Sequence, residues 1–477
     1  MVEVSENIFS YIKSLYGEPA AKKYVEFIKQ DPTQYIRVNT IKTDKEALTG
    51  KLMKDYSIAT QEIPQINNAL KVTGNSEMIG KTLEHIIGEY YIQGLSSMIP
   101  PLVLSPSNGD VVLDLCAAPG SKTTGLGEIM ENGGTLIANE IALDRVKMLV
   151  YNIDRMNLVN AGVIHYKGEW LSKIYSGHFD KILVDAPCSG LGIVQKKSEV
   201  SNWWSKERAE KLGDLQLRLL IAAIKMLKEG GEVVYSTCTL TPEENEFIIN
   251  KVLQKYPVEI LDIDLPVSST EGITFYNGGR LNPAITKARR ILPWEADSDG
   301  FFIVKLKKTG ETESPEIIRP KEKELHLLDY KNKELRKLLT GIENEFGIDG
   351  DVLNDYKFMI KRNDIYFVNK QWYDENLGLF ERIGTRFGVI DKNSKVILHT
   401  QAAQILRDEI RDRVYKIENP DELKIYLDGG IIKTKIEFSG QCAVKYKENI
   451  LGTAVVTANG IKSRFPRAKR TQEILIR

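Results

Sequence analysis

Apolar positions recur at helical spacing from Ile8 to Tyr16 and again from Ala20 to Ile28, and predict two short amphipathic helices. Tyr35 to Thr40 alternates as a strand does. From about residue 88 to 306 the pattern changes. Short continuous apolar runs, Val111–Leu115, Gly134–Asn139, Ala161–His165, Ile182–Asp185 and Gly231–Ser236, predict strands buried on both faces. Amphipathic stretches between them, such as Leu143–Arg155 and Leu215–Leu227, predict covering helices. The implied fold is α/β, a parallel sheet with helices on both sides. Ligands of such sheets bind at the carboxyl ends of the strands.

Outside this core the pattern is less regular. Lys308–Lys323 is charged and poor in apolar residues, and reads as a linker. Glu324–Ile348 reads as a charged helix followed by short strands, and Tyr426–Thr457 as a small β-rich module. The expected divisions are 1–80, a small α+β domain; 81–307, the core; 308–323, the linker; 324–418, an intermediate domain; and 419–477, a terminal module.

Composition narrows the function classes. The chain has 477 residues, with 65 Lys+Arg against 65 Asp+Glu, so its net charge is zero. That excludes a polyelectrolyte but not a local basic face. No apolar run approaches the ~20 residues that span a bilayer. Met1–Ser10 holds two Glu and no basic n-region, so no signal peptide is expected. The four cysteines, Cys116, Cys188, Cys238 and Cys442, match no zinc spacing. They read as reduced thiols of a cytoplasmic protein, with no metal and no membrane partner.

Three of those cysteines follow predicted strands. Val111–Leu115 runs into Cys116-Ala117-Ala118-Pro119-Gly120-Ser121-Lys122, a tight turn opening a helix, where small residues allow close approach of a ligand. The next strand ends in Glu140, an acid placed to accept ribose hydroxyls, with Arg145 close behind. Together these favour a nucleoside-containing cofactor without separating NAD from S-adenosylmethionine. The single-glycine turn departs from GxGxxG, which disfavours NAD. Asp185-Ala186-Pro187-Cys188 and Ser236-Thr237-Cys238 close two further strands. Thr241-Pro242-Glu243-Glu244 reads as a capping box, so a helix is expected to begin within one turn of Cys238 and to favour its thiolate, with the two glutamates opposing. A thiolate adding to carbon 6 of cytosine would activate carbon 5 toward a methyl donor.

These motifs, CAAPGSKT at 116–123, ANE at 138–140, DAPCSG at 185–190 and STCT at 236–239, resemble the Sun-type RNA cytosine-C5 methyltransferases. YIQGLSSM at 91–98 and RILPWEADSDGFF at 290–302 extend the resemblance to roughly residues 30–307. It implies a Rossmann-like, S-adenosylmethionine-dependent core. It also implies Cys238 as nucleophile, Cys188 as an aid to product release, Asp185 in contact with the base and Lys122 at the reaction centre. The turn 116–122 with Glu140, Arg145 and Asp185 would hold the cofactor. Glu169 would stand where such enzymes carry an Asp facing adenine.

The tail, LGTAVVTANGIKSRFPRAKR at 451–470, is similar to the end of the PUA-like module in the RsmF-type branch, which modifies bacterial small-subunit ribosomal RNA. Lys462, Arg464, Phe465 and Arg467 are the expected RNA contacts, an aromatic among cations. Trp203-Trp204 reads as packing in preference to a stacking platform. Ribosomal RNA, or the small subunit itself, is the expected partner of a monomer. Transfer RNA, or RNA binding without turnover, is the competing reading.

Overall fold

A computed structural model describes residues 4–313, 325–470 and 473–475; the stretch 314–323 of the expected linker lies outside the described residues. The apolar runs form the centre of the fold. Strands β1 (Val111–Asp114), β2 (Thr135–Asn139), β3 (Ala161–Ile164), β4 (Phe179–Asp185) and β5 (Leu227–Thr237) lie parallel in the order β3-β2-β1-β4-β5. Between them run α1 (Ser121–Ile129), α2 (Leu143–Arg155) and α3 (Lys206–Met226), and α4 (Glu246–Lys255) follows β5. Two antiparallel strands, β6 (Arg289–Ile291) and β7 (Phe301–Lys308), extend the sheet beyond β5. Alternate residues of the parallel strands feed opposite cores. Leu113, Ile137 and Val233 pack with Leu219, Leu220 and Ala223 of α3. Val112, Leu136 and Val234 pack on the other face with Leu126 and Leu149 of α1 and α2. Strand order reverses between β1 and β4, which opens a crevice at their carboxyl ends.

The N-terminal region carries the two expected helices, Glu6–Tyr16 and Glu18–Ile28, and an antiparallel sheet of four short strands. Arg37 of that sheet is buried and binds the core through Glu128 at 3.0 Å and Thr124 at 2.7 Å.

The structure departs from the sequence reading in several places. The helix expected at Leu215–Leu227 begins at Lys206, because its first turns lie on the surface and their polar residues dilute the apolar period. The region expected to be a helix from Glu324 forms a helix over Lys333–Phe346, with a short strand at Leu328–Asp329 before it. The terminal module opens with a helix, Pro420–Leu427, before its strands. The fourth departure is topological. Strand β8 (Phe380–Ile383), from the expected intermediate domain, pairs antiparallel with β3 at the edge of the core sheet. Phe380 and Trp372 are buried there in the core cluster. Any Cβ on Gly162 of β3 would come within 2.5 Å of the Phe380 ring. Arg382 seals the joint by an ion pair to Asp154 of α2.

Asp114 closes β1 and is fully buried, its Oδ2 accepting from Thr123 Oγ1 at 2.7 Å. This bond ties the strand end to the first turn of α1. Burial pushes the Asp114 carboxyl up to about 7.

Two outcomes are expected. Phe380→Ala removes a packed ring from the β3–β8 seam and should cost about 3–5 kcal/mol, read by denaturant unfolding. A loss within error of zero would mean that β8 is not integral to the core. Between the unfolded-chain value of about 4 and about 7, the folded protein holds a proton on Asp114 that the unfolded chain has released. Stability should therefore fall as pH rises across that window and level off above it. Asp114→Asn should flatten that slope in urea titrations, and an unchanged slope would refute the assignment.

Candidate active site

The turn after β1 is shaped by its small residues. Gly120 caps α1 with φ +107°, and a side chain there would also meet Leu149 Cδ1 at 3.1 Å. The Ala118–Pro119 peptide is cis. Asn139 Nδ2 donates to Leu115 O at 3.0 Å and braces the turn from β2. One residue on, Glu140 is 3% exposed. Its Oε1 accepts from Ala142 N at 2.9 Å and its Oε2 pairs with Arg145 at 3.2 Å. Arg145 also donates to Ala118 O, so one guanidinium bridges the acid and the turn. Glu169 lies in a 3-10 segment, Gly168–Lys173, that follows β3.

The ends of β4 and β5 bring the other candidates together. Asp185 Oδ2 pairs with Lys122 Nζ at 2.8 Å, and its Oδ1 accepts from Ser236 Oγ at 2.8 Å. Lys122 also donates to Ser97 Oγ at 2.9 Å and lies 5.1 Å from the centre of the Phe301 ring. Burial works against its charge, but the Asp185 carboxylate more than offsets this and raises the Lys122 pKa. Cys188 Sγ and Cys238 Sγ stand 3.0 Å apart as free thiols. The contact with Cys238, together with burial, pushes the Cys188 thiol well above the ordinary range.

The helix after Cys238 starts later than the capping box suggests. It begins at Glu246, and its N-cap Asn245 makes no side-chain capping bond. Residues 242–245 form turns instead, so no helix N-terminus lies within one turn of the thiol. Glu244 is drawn away from capping by a stronger demand. Its carboxylate is buried and accepts from Ser189 N at 2.8 Å, Gln216 Nε2 at 2.9 Å and Thr241 Oγ1 at 2.7 Å, and from the Ser189 hydroxyl. It thereby joins the loop of Cys188 to the loop of Cys238.

Two clefts meet at these residues. The larger, about 470 Å³, is walled by Glu140, Ile141, Arg145, Glu169, Cys188 and Trp203. The smaller, about 200 Å³, is walled by Ser97, Ala117, Pro119, Ser121, Lys122, Asp299 and Phe301. Cys116, Ala118, Asp185, Ile193 and Cys238 line both. The larger cleft fits a nucleoside cofactor. Its volume is that of small-molecule sites. Glu140 keeps lone pairs for two hydroxyls beyond the two contacts it already makes. Ile141, 54% exposed, leaves a bare apolar face beside them.

Other expected residues fall elsewhere. Lys462, Arg464 and Arg467 are exposed in the terminal module. Phe465 is a correction: it is fully buried against Tyr426, with ring centres 5.8 Å apart, and cannot stack on RNA. Its apolar ring is worth more in the module's core than in water, and its basic neighbours in sequence hid that. Lys469 is buried as well, donating to Ile86 O at 3.1 Å. Trp204 packs on Tyr11 at 4.8 Å, as expected of a core residue. Among the described residues no group of three or more His, Cys, Asp or Glu could hold a metal ion. Ser97, Ser236, Glu244, Asp299 and Phe301 were not singled out by sequence as site residues. The repeated acids after Cys238 and the DSDGFF run were the signals that could have found Glu244, Asp299 and Phe301.

Known proteins are similar to this chain. The family described as "16S rRNA methyltransferase RsmB/F" matches residues 101–307. A "Ribosomal RNA small subunit methyltransferase F" of Aliivibrio fischeri (strain MJ11) is 30% identical, over 93% of this chain and 93% of the relative. A "tRNA (cytosine(49)-C(5))-methyltransferase" of Pyrococcus abyssi is 35% identical, over 57% of this chain and 87% of the relative. A crystal structure of a methyltransferase homolog from Pyrococcus horikoshii superposes with a TM-score of 0.56 at 33% identity, covering 63% of this chain and 93% of that one. The cofactor is S-adenosylmethionine, and the chemistry is methylation of cytosine carbon 5 in RNA. With residues 101–307 matched by the family and 93% of the chain matched by a relative 30% identical, the chain belongs to the 16S rRNA methyltransferase RsmB/F family.

Proposed function

We propose that the chain methylates cytosine in small-subunit (16S) ribosomal RNA in the cytoplasm, acting without a metal, with Cys238 as nucleophile. The observation that carries this reading is the junction of the two clefts, where two thiols 3.0 Å apart and the Lys122–Asp185 pair at 2.8 Å stand together. The smaller cleft takes the target base. Cys238 sulfur adds to carbon 6, and the resulting enamine makes carbon 5 nucleophilic. Bound S-adenosylmethionine supplies an electrophilic methyl group in the larger cleft. Asp185, fixed by Lys122 and Ser236, faces the ring, and the Lys122–Asp185 pair supplies a proton to N3 as sulfur adds and takes it back as sulfur leaves. Loss of the carbon-5 proton to a base then breaks the carbon 6–sulfur bond and returns the Cys238 thiolate. Cys188, held as a thiol beside the leaving sulfur, assists that release. Glu140 holds the cofactor ribose, Arg145 braces Glu140, the turn 116–122 lies under the methionine portion and Glu169 borders the adenine.

The choice of ribosomal RNA rests on coverage. The tRNA enzyme aligns with 57% of this chain, whereas the ribosomal RNA enzyme aligns with 93%, C-terminal regions included. Residues 419–477, read as a PUA-like module, contribute RNA affinity through exposed Lys462, Arg464 and Arg467.

The test is to map 5-methylcytosine in ribosomal and transfer RNA from cells with and without the protein. Loss of a site in 16S ribosomal RNA is expected. Loss confined to tRNA would overturn the substrate, and no change in either would leave an RNA-binding factor without turnover. In calorimetry Glu140→Ala should weaken S-adenosylmethionine binding by about 1–3 kcal/mol, and equal affinity would remove Glu140 from the cofactor site.

A further inference from the structure

The two clefts account for the target base and the cofactor, but not for the strand that carries the base. With Phe465 buried, the tail offers cations and no ring. An aromatic among cations does exist next in sequence to residues that line the larger cleft. Trp170 is 48% exposed, and the ammonium groups of Lys167 and Lys173 lie 4.7 and 5.7 Å from its ring centre. Both lysines are exposed. Trp170 directly follows Gly168 and Glu169, which line the cleft. Its backbone is firmly seated, since a Cβ on Gly168 would approach Leu219 of α3 to 2.8 Å. A second cation-capped ring lines the same cleft: Arg208 lies 4.2 Å from the ring centre of Trp203.

A lone exposed apolar side chain calls for no explanation. Position and company set Trp170 apart. The ring belongs to the segment leaving the carboxyl end of β3, on the same sheet edge as both thiols. Indole faces stack on any base, and paired cations answer phosphates without reading sequence. We propose that the Gly168–Lys173 segment is a docking track for the single-stranded RNA flanking the target cytosine, with a base stacked on Trp170 and phosphates against Lys167 and Lys173. The proposal rests on the reading of the chain as an RNA methyltransferase.

The experiment uses the full chain and a labelled, unstructured cytosine-containing oligoribonucleotide. Trp170→Ala should weaken its binding about tenfold, the scale of one lost stacking contact. Trp170→Phe should restore most of the affinity. The double variant Lys167→Ala/Lys173→Ala should make the dependence of log affinity on log salt shallower by about one to two. S-adenosylmethionine affinity, measured by calorimetry, should be unchanged in all three, which separates loss of the track from loss of the fold. RNA affinity within twofold of wild type in both Trp170→Ala and the lysine variant would overturn the track. Methylation of RNA by the wild-type chain is scored separately, and its absence would fail the functional reading and not this binding surface.

Discussion

The buried carboxylate of Glu244 holds the two halves of the catalytic crevice in register. Neither cysteine loop is part of a helix or a strand ladder, so nothing in the sheet alone fixes their separation. Glu244 does so by accepting from Ser189 and its backbone on one side, and from Thr241 on the other, with Gln216 of α3 as a third anchor. A buried charge costs several kcal/mol unless its lone pairs are filled, and here four donors fill them. Burial nonetheless raises the Glu244 pKa, which shows that desolvation is not fully offset. The geometry that results, two thiols in contact beside an ion pair, is what the proposed chemistry uses.

Other buried charges do similar work at larger scale. Arg290 and Glu246 pair at 2.5 Å with almost no exposure and lock β6 to the start of α4. Arg37 with Glu128 docks the N-terminal sheet on α1, whose first turn carries Lys122. Arg382 with Asp154 fastens β8 to α2. Lys469 reaches from the terminal module to the Leu83–Ile87 helix. Two of these joints, those of Arg37 and Arg382, end on α1 and α2, whose Lys122 and Arg145 line the clefts. The N-terminal sheet and β8 therefore brace the helices that carry these residues.

The core was legible in the sequence because strands buried on both faces must be continuously apolar, and their carboxyl ends had to carry the chemistry. Cys116, Lys122, Glu140, Asp185, Cys188 and Cys238 all read correctly as residues at strand or helix ends around one crevice. Glu244 did not, because a glutamate three residues after a threonine looks like a capping box, and only burial shows that its carboxylate serves two loops. Strand β8 is four residues long and pairs across more than two hundred residues of sequence, a separation that local periodicity cannot encode. Phe465 misled because charge on either side suggested exposure, while every second residue of that segment faces inward. Trp170 was passed over because it sits in an irregular stretch with no periodic signal.

The central claim is that two thiols in contact divide the labour of a covalent reaction, one attacking and one assisting release. Contact alone does not assign the roles, since both sulfurs line the larger cleft and stand 3.0 Å apart. Trapping of an enzyme–RNA adduct on denaturing electrophoresis can. Cys188→Ala should accumulate an adduct that survives denaturation, because attack and methyl transfer remain possible while release is slowed; Cys238→Ala should form none and should not methylate. An adduct in Cys238→Ala and none in Cys188→Ala would reverse the two roles, and full activity in both variants would contradict covalent catalysis by these residues altogether.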